Sequence, residues 1–151
     1  MYSKQEASLL NQEFWTTLGQ YMAPIPSAEG QKINWINYKT GVRHFRFLLR
    51  INDKTASVAI ELSHKDPEEQ EINYKKFLLL KPTLIEATGV TWHWSKLEID
   101  EQGKLTSLVS VSQPNLVVLN KNDWPALISF FKSHLVALDK FWCEHKFVFE
   151  M

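Results

Sequence analysis

At 151 residues the chain is long enough to bury a substantial core, and it reads as one α+β domain over residues 1–151. Lysine plus arginine and aspartate plus glutamate both number 17, so overall charge gives no general attraction to nucleic acid or to a membrane surface. The single Cys143 excludes an internal disulfide, and no apolar run approaches the ~20 residues of a membrane helix.

Residues 3–22 predict a helix. Ser3 and Glu6 have capping-box spacing, and Ala7, Leu10, Phe14, Leu18 and Tyr21 follow the three-to-four rhythm of an apolar face. This opening also lacks the basic-then-apolar order of a signal peptide, so a soluble cytoplasmic protein without a membrane partner is expected. Two prolines and a glycine in APIPSAEGQ break the helix. Three strands are then expected at Ile33–Tyr38, Val42–Ile51 and Thr55–His64.

Parity sets the register of these strands. A tight turn centred on Asp53-Lys54 places Leu49 opposite Val58, Phe47 opposite Ile60 and Phe45 opposite Leu62, so that Arg46 faces Glu61. A three-residue Lys-Thr-Gly loop in YKTGVR would pair Trp35 with Phe45 and Asn34 with Arg46. The other face then carries a polar row of Asn34, Arg46 and Glu61.

Asp66, Pro67 and Glu69 mark a helix start, Pro82 should kink or split that helix, and Gly89 should end it. Val90–Ile99 and Leu105–Ser112 predict strands, with a bulge near Ser95-Lys96 where the apolar parity switches. Residues 113–122 read as a short strand and a loop. Asp123 to about Cys143 is an amphipathic helix, with Asn122 as candidate cap and a stripe of Leu127, Ile128, Phe131, Leu135, Leu138 and Trp142. The sum is an α+β fold with a mixed or antiparallel sheet.

Helix, three-strand meander, helix and strand is also the core order of the restriction-endonuclease-like, PD-(D/E)xK fold, which residues 3–99 resemble. That resemblance implies an acid on the second strand and an acid-x-Lys on the third, holding Mg²⁺. Glu61 takes the acid position, but Ser63 stands in the Lys position and the second strand has no acid. Arg46 across the ladder would repel a metal and offers Glu61 an ion pair instead, worth about 0.2–1 kcal/mol. One rescue is Lys65, which shares the Glu61 face if the strand extends that far. The ion pair is the favoured reading, and a Mg²⁺-dependent nuclease using Glu61 and Lys65 is the alternative.

A second resemblance spans nearly the whole chain. FRFLLRINDKTASVAIELSHKD, the spacing to IEATGVTWHW, and NDWPALISFFKSHLVALDKFW are similar to a bacterial family, number 4268 among the domains of unknown function. Its members stand alone or end larger proteins that carry a nuclease-like domain. The resemblance implies a link to DNA defence or processing, and no catalytic residues.

Other candidates each have a plainer reading. All three arginines, Arg43, Arg46 and Arg50, fall on one predicted strand; Arg46 and Arg50 could grip phosphate, with Trp35 or Tyr38 to stack on bases. Against this, Glu61 and the acidic DPEEQE could neutralise them. Trp92 and Trp94 flank His93 and could form a ligand-stacking platform, though tryptophans so placed more often pack beneath a helix. The five histidines show no metal-ligand spacing, and the five glycines make no nucleotide-binding fingerprint, so no metal or cofactor is expected. The last helix is apolar almost all round, which internal packing, a homodimer or docking on a larger partner would each explain. A non-catalytic interaction or regulatory module, with Arg46 and Arg50 as candidate nucleic-acid contacts, is the expected function.

Overall fold

A computed structural model describes residues 2–52 and 54–150; Asp53, at the centre of the expected turn, lies outside them. Among the described residues the chain forms helices α1 (Lys4–Met22), α2 (Pro67–Leu79), α3 (Lys81–Thr88) and α4 (Trp124–His145). The strands are β1 (Phe45–Asn52), β2 (Thr55–Leu62), β3 (His93–Ile99) and β4 (Leu105–Pro114), joined in one antiparallel sheet of order β1-β2-β4-β3. The fold is α+β.

Local chemistry accounts for most boundaries. The Ser3 hydroxyl accepts from the Glu6 amide and donates to the Glu6 carboxylate, closing the first turn of α1. Asp66 accepts from the Glu68 amide ahead of Pro67. Pro82 falls in the first turn of α3, so the expected long helix is split at Leu80, and Gly89 ends α3 at φ 74°. Residues 113 and 114 extend β4 rather than starting a new strand. Asn122 is not the cap of α4; Asn120 accepts from the Asn122 amide and starts a 3₁₀ turn, Lys121–Asp123, that leads into the helix.

The β1–β2 register is the expected one: Phe45↔Leu62, Arg46↔Glu61, Phe47↔Ile60 and Leu49↔Val58. The bulge also falls where parity switches, between Ser95 and Glu98, with Leu97 at φ 52°. The Leu97 amide released from the ladder donates to Ser107 Oγ. Ser107 in turn donates to Gln70, which is wholly buried and donates to the carbonyls of His64 and Leu105. This polar network ties α2 to the bulged part of the sheet.

The expected first strand is absent. Residues 33–38 form a turn, because the Asn34 side chain accepts from the Ile36 and Asn37 amides and closes the backbone on itself. Asn34 is therefore not in a row with Arg46, and Trp35 does not pair with Phe45. Gly41 does take a positive φ of 78°, but it serves a loop and not a hairpin. The segment guards the β1 edge through side chains: Thr40 Oγ1 donates to the Phe45 carbonyl, and Tyr38 stacks on Phe47. The element order expected from the nuclease core is thus not reproduced here; two strands, not three, precede α2.

One face of the sheet carries the core. Phe45, Phe47, Val58, Ile60, Leu62 and Val109 join Phe14 and Leu18 of α1, Phe77 of α2, Leu84 of α3 and much of α4. Tyr21, expected on the α1 stripe, is 50% exposed, and Met22 is buried in its place. α4 packs against α1, α3 and β2, and of its large apolar side chains Val136 stays exposed. The other sheet face holds Arg46, Leu48, Arg50, Ser57, Ala59, Glu61, Leu108, Ser110 and His93, none of which joins the core cluster. That face is open.

Candidate nucleic-acid interface

The open face is built around an ion pair. Arg46 Nε donates to Glu61 Oε1 at 2.8 Å, and the two differ sharply in exposure: 58% for the Arg46 side chain, 2% for Glu61. Glu61 lies on an inner strand with Arg46 on one side and Leu108 on the other, so its carboxylate has a cation and a hydrocarbon as ladder neighbours. Nε is one of five guanidinium donors; the rest of the planar fork stays free to meet a partner. Glu61 holds the fork in position.

Arg50, four residues along β1 on the same face, is exposed, and Ser57 and Ser112 lie beside it across the ladders. His93 is exposed at the opposite edge, opposite Ser110. The face is basic at one side and hydroxyl-bearing in the middle, and at the β1 edge Trp15 and Tyr38 line a cavity together with Arg46 and Leu48. Trp35 is 3% exposed with Nε1 donating to the Ile25 carbonyl, so it cannot stack on a base.

The remaining expected positions fall elsewhere. β2 ends at Leu62, so Lys65 lies in the bend before α2 and off the Glu61 face. Among the described residues no three His, Cys, Asp or Glu side chains converge as a metal would require. Trp92 is buried, donating to Thr88 Oγ1, and Trp94 packs edge-on against Tyr74 and Phe77 beneath α2. Both tryptophans are packing groups.

Two arrangements escape the sequence reading. His44 takes φ 69°, and its ring lies 4.9 Å from that of His64 while its carbonyl accepts from the Ser63 amide. His64 is 4% exposed, its Nδ1 has no partner, and burial followed by the neighbouring His44 lowers its pKa. The second is Asp139. Its carboxylate, 2% exposed, accepts from the Ala28 amide at 2.7 Å and from the Tyr38 hydroxyl at 2.5 Å, with Cys143 Sγ 3.6 Å away. Burial, then Asp139, raises the Tyr38 pKa, and burial, then Asp139 and Glu29, pushes the Cys143 thiol up to about 11. Cys143 is therefore a thiol at neutral pH and a poor nucleophile. The signal for Asp139 was a charge set inside an apolar stripe, between Leu138 and Trp142.

The family model described as Domain of unknown function (DUF4268) matches residues 10–146. The chain belongs to that family. The matched span takes in the sheet, all four helices in whole or large part, and both the Arg46–Glu61 pair and the Asp139 cluster, so each is a feature of this chain's DUF4268 domain. No curated protein and no solved structure matches the chain.

Proposed function

We propose that this DUF4268 chain is a non-catalytic interaction module that holds the phosphate backbone of nucleic acid on its open sheet face. The Arg46–Glu61 geometry carries the reading: a nearly inaccessible carboxylate positions an exposed guanidinium. A fork so held loses little freedom on meeting a phosphate. Arg50 adds a second cation on the same strand, about 13 Å further on at strand rise. The same geometry favours binding over hydrolysis, since Glu61 already serves Arg46 and Lys65 is off its face. With cations as the contacts, recognition runs through the phosphate backbone and is indifferent to base sequence.

The test is a gel with labelled single- and double-stranded DNA at low salt, with and without Mg²⁺ or Mn²⁺. Retardation without cutting is expected, weakened in Arg46→Ala and again in Arg50→Ala. Metal-dependent cutting abolished by Glu61→Ala would overturn the reading and make Glu61 a metal ligand. The absence of both retardation and cutting would rule out nucleic acid as the partner.

A further inference from the structure

Residues 23–44 connect α1 to β1 without regular secondary structure. Loops longer than about 12–15 residues are uncommon in compact domains and are usually functional or disordered. This one is held in place by side chains: Trp142 Nε1 donates to the Thr40 carbonyl, Trp35 is buried, and Asp139 binds both Ala28 and Tyr38. Between the loop and the last turns of α4 lies a cavity of about 400 Å³. That falls within the roughly 300–1,000 Å³ of small-molecule sites.

The lining divides by charge. Lys32 and Lys39 come from the loop and Lys146 from the turn after α4, and none of the three pairs with a carboxylate among the described residues. The acids there are Glu29 and Asp139, and Asp139 is already engaged by Ala28 and Tyr38. The Tyr38 hydroxyl spends its hydrogen on Asp139, so what it offers a ligand is oxygen lone pairs. One part of the cavity therefore calls for an anion and another for hydroxyl donors.

We propose that this cavity binds a small phosphate ester bearing hydroxyl groups. Lys32, Lys39 and Lys146 take the phosphate as point charges. The Tyr38 oxygen and the Glu29 carboxylate accept from the hydroxyls. The site is separate from Arg46, Arg50 and Glu61, so it stands or falls independently of nucleic-acid binding.

Isothermal titration calorimetry on the full chain at low ionic strength tests this with sn-glycerol 3-phosphate, inorganic phosphate and glycerol as probes. Saturable binding of glycerol 3-phosphate, weaker binding of phosphate and none of glycerol are expected. Lys32→Gln, Lys39→Gln and Lys146→Gln should each weaken glycerol 3-phosphate about tenfold, the worth of one charge-assisted contact. Lys104→Gln, in the β3–β4 turn, should change nothing, and Arg46→Ala should leave this binding intact. Tyr38→Phe should weaken glycerol 3-phosphate and spare phosphate. No saturable heat from either phosphate would overturn the proposal, as would an equal loss in Lys104→Gln. The side chains of the three lysines take no part in the described hydrogen bonds, so their variants should fold even where Tyr38→Phe does not.

Discussion

Arg46 and Glu61 share one hydrogen bond but not one environment, so removing either has a different cost. Arg46→Ala takes an exposed side chain away and leaves a carboxylate that is 2% exposed without its cation. A loss of about 1–3 kcal/mol in urea unfolding is expected, the penalty for a buried polar group left unpaired. Arg50→Ala, exposed on the same face, should stay within about 0.5 kcal/mol. Equal effects would mean that Glu61 does not depend on Arg46. His64 makes a second residue-scale prediction. Burial and His44 lower its pKa while Glu69 opposes them, so the unfolded chain binds the proton more readily than the folded one. Stability should therefore be full above the ordinary imidazole value of about 6.5 and fall as pH drops below it towards the folded value. Urea midpoints compared at neutral and mildly acid pH measure this, and His64→Gln should flatten the slope between them.

At the scale of elements, the segment 23–44 and α4 depend on each other through Asp139 and Trp142. Asp139→Ala removes the acceptor for the Ala28 amide and the Tyr38 hydroxyl together. A loss of about 1–3 kcal/mol is expected. Native-state hydrogen exchange should quicken at Ala28 while amides in β2 keep their protection, because the loop can open without the sheet. Uniform quickening would show that the loop is part of the global unfolding unit. The same segment explains why a strand was expected at Ile33–Tyr38 and is not found. Its apolar residues do serve the core: Trp35 lies in it, and Ile33, Ile36 and Tyr38 pack against it. Asn34 accepting from two amides wins over the ladder, and a turn delivers the same side chains to the core without strand pairing.

At the scale of the whole molecule, helices on one side of the sheet leave the other as a basic, hydroxyl-bearing surface. If Arg46 and Arg50 each neutralise one phosphate, log affinity for double-stranded DNA should fall with log salt more steeply than in either single variant. The slope should drop by about 0.9 for each arginine removed. Fluorescence anisotropy at several salt concentrations measures it, and an unchanged slope in Arg46→Ala would place the contact elsewhere. The breadth of α4 is decided at this scale too. Its apolar surface would equally suit a partner or an interior, and it packs against α1, α3 and β2. No helix among the described residues is long and apolar enough to cross a membrane.

By itself the sequence determined whatever rests on short-range physics. The β1–β2 register follows from side-chain parity, the ends of α2 and α3 from Asp66, Pro82 and Gly89, and the Ser95–Glu98 bulge from a switch of parity. Only the tertiary structure decided which groups distant in the chain would meet. Tyr38 and Asp139 are separated by 101 positions and Gln70 and Ser107 by 37, and no local pattern encodes either pairing. The turn at Asn34, the positive φ of His44 and the pairing partners of β4 set those meetings. Each is a balance among backbone hydrogen bonds, side-chain burial and sheet order that is struck only when the whole core assembles.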